Sequence, residues 1–185
     1  MDEIGVIHGR FQGLHLGHME YLLAGKQRCK YLIIGIANPD KSLTAFSEEN
    51  PHRSTELANP FTYYERFEMI RGAMQESGIS LNEFSIVPFP INYPEYLFNY
   101  VPSKATYYIT IYDAWGLKKK QVLEELGCKT EVMWRRTPEQ KPISGTRIRT
   151  LIADNGEWKA LVPPFVYNYI TENGIDQRIR DIAKG

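Results

Sequence analysis

Two short segments, far apart in the chain, carry the residue types that phosphate chemistry needs. The first is Gly9-Arg10-Phe11-Gln12-Gly13-Leu14-His15-Leu16-Gly17-His18. Its two imidazoles, separated by Leu-Gly, can donate hydrogen bonds to phosphate oxygens, and Gly17 lets the backbone come close to a ligand. The competing reading has one histidine capping a helix and the other packed in a core. The second segment is Ile143-Ser144-Gly145-Thr146-Arg147-Ile148-Arg149. Ser144 is a good N-cap, and a helix starting there aims N–H groups and hydroxyls at an anion. Arg147 and Arg149 are two apart, so on a helix they diverge and at most one faces the same phosphate as Ser144. The plain alternative is a helix start with solvated arginines. Neither segment is a Gly-x-Gly-x-x-Gly fingerprint, and no Walker loop occurs.

The elements around these segments alternate. Short apolar runs predict strands over 4–7, 31–36, 84–88, 106–112 and 129–134, the first ended by the polar run His8-Gly9-Arg10. Helical spacing is expected over 18–27, 62–75, 117–126, from Ser144 onward, after Pro163-Pro164 and over 175–183, with an aromatic helix or turn at 93–100. Thr62 and Glu65 form a capping-box pattern. Such alternation implies an α/β fold, a doubly wound, Rossmann-like parallel sheet of about five strands with a helical C-terminal segment from about residue 144. The histidine segment then sits where the first strand turns into the first helix, the place where open parallel sheets bind ligands. The polar, proline-bearing stretch 37–61 is a loop long enough to be expected functional or mobile.

Together the two segments resemble the nucleotidylyltransferase superfamily, marked by an N-terminal His-x-Gly-His and a C-terminal Ile-Ser-x-Thr-x-Ile-Arg. Further stretches are similar to archaeal-type nicotinamide mononucleotide adenylyltransferase: Gly9-Arg10-Phe11-Gln12, Asn59-Pro60-Phe61-Thr62 with Glu65-Arg66, Asp154-Asn155-Gly156-Glu157-Trp158 with Leu161-Val162-Pro163, and Gly174-Ile175 with Arg178-Ile179. The resemblance implies one domain over 1–185 and transfer of AMP from ATP to nicotinamide mononucleotide, giving NAD and pyrophosphate. It implies that His15 and His18 hold the ATP phosphates, with His18 stabilising the transition state. It also implies that Arg149 grips the β- and γ-phosphates, helped by Ser144 and Thr146, that Arg10 adds positive charge, and that Gly9, Phe11 and Gly17 line the nucleotide. Mg²⁺ would be held mainly by the ATP phosphates, with no protein metal ligand.

The pattern departs from that family at the acceptor end. Gly13 stands where the family has Pro, and Ala58 where archaeal enzymes carry a basic residue, a charge that Lys41, His52 or Arg53 could supply. Ile91, Glu95 and Phe98 stand where the family seats the nicotinamide with Asp, Asn and Trp, and Asn92 could recover a polar contact. Tyr112-Asp113-Ala114-Trp115-Gly116 replaces a Gly-Asn, which brings in Trp115 as a ring to stack or a core residue. Acceptor contacts are therefore expected from Asn92, Glu95, Phe98 and Trp115, with Glu95 favouring nicotinamide over nicotinate mononucleotide. Two other readings stay open: a sibling enzyme that uses another phosphorylated acceptor or CTP, and a non-catalytic module that senses NAD or ATP.

Composition narrows the partners. With 22 basic and 22 acidic residues the chain has no formal net charge, which argues against non-specific binding to nucleic acid or anionic membranes. Its 185 residues, 43% hydrophobic, suffice for a core without staples, and Cys29 and Cys128 lie too far apart in sequence to suggest a zinc site or disulfide framework. The acidic start Met1-Asp2-Glu3 lacks a signal-peptide layout, so the cytoplasm is the expected compartment, and a homo-oligomer stays open.

Overall fold

A computed structural model describes residues 1–39, 55–140 and 143–185. Five strands form one sheet in the order β3-β2-β1-β4-β5, with every neighbouring pair parallel. They are β1 (Asp2–Gly9), β2 (Cys29–Ala37), β3 (Phe84–Phe89), β4 (Thr106–Ile111) and β5 (Lys129–Arg135). The chain runs outward from β1 to β3 and then crosses back to β4, so the order reverses between β1 and β4. Ligand crevices of open parallel sheets form at such a switch point, outside the carboxyl ends of the strands.

The helices are α1 (Leu16–Lys26), α2 (Tyr63–Glu76), α3 (Ala114–Glu125), α4 (Gly145–Ala153), α5 (Pro164–Glu172) and α6 (Ile175–Lys184). Local chemistry fixes their starts. Thr62 and Glu65 close the anticipated capping box on α2, and Ser144 caps α4 by accepting from the Arg147 N–H at 3.2 Å. Asp113 caps α3 by accepting from the Gly116 N–H, so this helix starts at Ala114, three residues ahead of the expected start at Leu117. The aromatic stretch after β3 becomes a 3₁₀ helix, Pro94–Asn99, with Pro94 in its first turn and Leu97 buried.

Side chains alternating along the buried strands divide the interior in two. Ile7, Leu32, Ile34 and Ile36 pack with α1, α2 and the C-terminal helices through Leu22, Met69, Ile70, Ile148, Ile152, Val166, Ile170 and Ile179. Val6, Ile33, Phe89, Tyr107 and Ile109 pack with Leu97, Val101 and Leu123 on the α3 face. The C-terminal helices thus share the core that holds α1 against the sheet. Strand ends differ from the sequence expectation by up to two residues, and at β1 the difference bears on the site. β1 does not stop before the polar run: His8 and Gly9 pair in register with Gly35 and Ile36, and His8 is buried.

Candidate active site

His15 is the N-cap of α1, and its Nδ1 accepts from the His18 N–H at 3.2 Å. That bond puts the ring proton of neutral His15 on Nε2. The His15 and His18 rings stack at 3.7 Å with 18° between planes. Neither anticipated alternative excludes the other here, since His15 caps the helix and also belongs to an imidazole pair. A Cβ on Gly17 would lie 3.2 Å from the His15 ring, so the small residue between the histidines gives that ring its room.

The turn into this pair is strained. Phe11 has φ 50°, a left-handed conformation that is an outlier for a bulky residue. Its ring is buried and meets His18 edge-on at 5.1 Å. Strain of this kind costs on the order of 1–3 kcal/mol and persists where the surroundings enforce it. Gly13 has φ 90°, which proline, locked near −65°, cannot adopt. The turn here is therefore built differently from one that carries Pro at this position.

α4 closes the site from the other side. A Cβ on Gly145 would come within 2.7 Å of the Gln12 carbonyl oxygen, so the helix start docks directly on the turn. Arg149 donates from Nη1 to that same oxygen at 2.6 Å and from Nη2 to Thr146 Oγ1 at 3.2 Å. It is 5% exposed, and burial lowers its pKa to about 10, which still leaves it charged at neutral pH. Arg147 is exposed, so the two arginines diverge as their spacing requires. The N-termini of α1 and α4 therefore adjoin, and two helix ends direct N–H groups and positive dipole ends to one place.

Two groups that sequence reasoning did not assign hold the turn from behind. Gln12 donates to the Phe61 carbonyl at 3.1 Å and accepts from the Phe61 N–H at 3.0 Å, tying the turn to the segment before α2. Arg66, 2% exposed, donates from Nη1 to Arg10 O and Ala37 O and from Nη2 to Asn38 O, all at 2.8–2.9 Å. Its guanidinium bridges the carboxyl ends of β1 and β2, and burial lowers its pKa to about 10. Both residues lie inside the family-like stretches, but nothing in their spacing marks them as partners. Arg10 is half-buried, and its carbonyl is one of those Arg66 holds.

The acceptor residues fare unevenly. Asn92 is half-buried and donates to Asn38 Oδ1 at 3.0 Å, across the ends of β3 and β2, with Asn38 itself at φ 49°. Glu95 is exposed and Phe98 is 43% exposed, because Leu97 is the residue of that 3₁₀ helix that enters the core. Trp115 is half-buried with Lys118 Nζ 5.7 Å from its ring centroid. Lys41, His52 and Arg53 lie outside the described residues. A cavity of ≈ 390 Å³ opens at the ends of β4 and β5, lined in part by Tyr112, Asp113, Arg136, Thr137 and Gln140. Arg136 stands over the Trp134 ring at 4.6 Å and forks onto Glu20 of α1.

Residues 6–151 match the model of the cytidylyltransferase-like family. The chain belongs to the cytidylyltransferase-like family. It is 52% identical over 176 residues to the phosphonoformate cytidylyltransferase of Streptomyces viridochromogenes, covering 95% of each chain. It is 33% identical over 179 residues to the nicotinamide-nucleotide adenylyltransferase of Saccharolobus solfataricus, covering 97% of this chain and 96% of that one. The fold is similar, at a TM-score of 0.69 and 20% identity, to a bifunctional NMN adenylyltransferase/ADP ribose pyrophosphatase from Francisella tularensis, covering 98% of this chain. This chain spans about half, 52%, of that larger protein.

These relatives place the chain among nucleotidyltransferases and correct one expectation. The reading of nicotinamide mononucleotide and ATP as substrates, with NAD as product, gives way, because identity to a cytidylyltransferase is far higher than to the NAD-forming enzymes. The physical reason lies in the division of the site. The segment expected to seat a nicotinamide ring turns Glu95 and Phe98 outward. With that substrate goes the expected preference of Glu95 for nicotinamide over nicotinate.

Proposed function

We propose that the protein is a cytidylyltransferase that transfers CMP from CTP to a small phosphonate acceptor. The observation that carries this reading is the 52% identity, over nearly the full length of both chains, to a phosphonoformate cytidylyltransferase. In the reaction a phosphonate oxygen attacks the α-phosphorus of CTP in line, a new P–O–P link forms, and the bond to the β-phosphate oxygen breaks. The electron pair leaves with pyrophosphate, and no covalent enzyme intermediate is required. Catalysis is then positioning together with neutralisation of charge on the phosphoryl oxygens.

In this reading His15 and His18 donate to the triphosphate, with His18 placed for the charge that develops on the leaving group. Arg149 carries a fixed positive charge at the same point, and Ser144 and Thr146 supply hydroxyls beside it. Gly9, Arg10, Phe11 and Gly17 shape the turn around the phosphates. The cavity at the ends of β4 and β5 has the volume for a nucleoside. The cradle is made of imidazoles, guanidinium and hydroxyls. No group of three or more His, Cys, Asp or Glu able to hold a metal occurs among the described residues. This donor set suits phosphate oxygens and not a hard divalent cation, so Mg²⁺ would enter on the triphosphate.

The test is to incubate the protein and Mg²⁺ with each of CTP and ATP, against phosphonoformate, other small phosphonates and nicotinamide mononucleotide, while following pyrophosphate release. Release is expected with CTP and a small phosphonate. Release only with ATP, or only with acceptors lacking a phosphonate, would overturn the reading.

A further inference from the structure

The carboxyl edge of the sheet carries one buried polar side chain that the phosphate cradle does not use. Along β1, Ile7 enters the core beneath α1 and Val6 the core on the α3 face. His8 shares the parity of Val6, and its ring lies parallel to Phe89 at 4.4 Å and 5°. Phe89 in turn covers Gly35 of β2, where a Cβ would come within 2.4 Å of the phenyl ring. The imidazole of β1 thus lies beside Gly35 of β2 and flat against Phe89 of β3, which fixes its plane. It is 6% exposed, and neither ring nitrogen has a hydrogen-bond partner among the described residues. Burial, and secondarily the charge of Lys119 on α3, hold its pKa well below the usual histidine range, so the ring is neutral with one N–H. A buried donor or acceptor left unsatisfied costs about 1–3 kcal/mol, and an apolar ring would stack on Phe89 equally well. Packing alone does not explain a histidine here.

Its position supplies the explanation. His8 immediately precedes Gly9 and Arg10, at the carboxyl end of the central strand and beside the switch point. His15, His18 and Arg149 come from α1 and α4, on the opposite face of the sheet from the His8 ring. In-line displacement needs the attacking oxygen on the far side of the α-phosphorus from the departing pyrophosphate. His8 stacks on Phe89 on the α3 face of the sheet edge, away from α1 and α4, and so is placed for a group that approaches from that side. We propose that His8 binds the acceptor, its ring N–H donating to an anionic oxygen of a small phosphonate that carries a second anionic group. This inference rests on the cytidylyltransferase reading above.

The experiment pairs kinetics with a direct readout of the ring. His8→Phe keeps the stack on Phe89 and removes both nitrogens. With CTP and phosphonoformate, its acceptor KM is expected to rise about ten-fold or more while the CTP KM stays within about two-fold. Its Tm should be equal or higher, since an unsatisfied polar group is lost from a buried position. An unchanged acceptor KM, or equal increases for both substrates, would overturn the proposal. So would a lower Tm with unaltered kinetics, which would make His8 structural. In parallel, the ring ¹⁵N resonances of His8 in the wild-type chain are followed by NMR with phosphonoformate alone and with CTP alone. A response to phosphonoformate but not to CTP is expected, and any other pattern overturns the assignment. If the wild type releases no pyrophosphate with any phosphonate, the functional reading fails by itself, while the ring response still decides whether His8 meets the anion.

Discussion

The stacked His15–His18 pair concentrates two donors on one side of a strained turn, and the geometry gives the rings separate tasks. His15 is committed through Nδ1 to capping α1, whereas the His18 ring is steadied by His15 on one side and by the edge of Phe11. His18→Ala is expected to lower kcat by about 10²–10³, the scale for loss of one charge-stabilising donor. The fold should hold, because His18 is only half-buried and the cap is made by its backbone N–H. Circular dichroism and Tm beside pyrophosphate-release kinetics would separate the two effects. Unaltered turnover with a lowered Tm would assign the ring to packing.

At the scale of elements, the site depends on α4 reaching a turn that lies more than a hundred residues earlier in sequence. Gly145 allows the approach, and Arg149 fastens it through Gln12 O and Thr146. Arg149 is a buried cation with no carboxylate bonded to it among the described residues, an arrangement that stability alone does not reward. Arg149→Met should therefore leave Tm within a few degrees of wild type while abolishing most turnover. Arg149→Lys keeps the charge but loses the fork, so it should raise the nucleotide KM more than the acceptor KM. Equal effects on both substrates would place Arg149 outside the triphosphate site.

Across the whole molecule, the neutral formal charge hides a local accumulation of basic groups at one edge of the sheet. No helix among the described residues is long and apolar enough to cross a membrane. The C-terminal helices close the fold through Arg178 of α6, which forks onto Glu65 at 2.9 and 2.6 Å and donates to Pro60 O. Burial works to raise the Glu65 pKa, but the Arg178 fork and the Thr62 N–H outweigh it and hold the carboxyl below its usual value. A carboxyl depressed in the folded state contributes stability above its unfolded value near about 4.3, and loses it as pH falls through the lower folded value. With Arg178 41% exposed, about 1 kcal/mol is at stake. Glu65→Gln should lower Tm at pH 7, and the gap to wild type should narrow as pH falls below about 4.3 and through the lower folded value. A gap that does not change with pH would show that the ion pair is not its source.

The sequence by itself determined the element order, the parallel sheet and the two motifs that the first strand-to-helix turn and the start of α4 carry. These rest on local rules: apolar runs for strands covered on both faces, capping patterns at Thr62 and Ser144, and histidines at the first strand-to-helix turn. It also determined that Arg147 and Arg149 part company, since helical spacing alone requires it. What only the tertiary structure decided depends on distant chain segments meeting. Arg66 reads as part of a helix until its guanidinium is seen collecting carbonyls from two strand ends. Gln12 and Phe61 become a pair only when the turn docks on the segment before α2. His8 looked like the polar end of a strand, and register with Gly35 together with the Phe89 ring made it a buried group of the sheet edge. The acceptor side stayed illegible for the same reason. Asn38 and Asn92 meet only across the ends of β2 and β3, an arrangement that no single stretch of sequence carries.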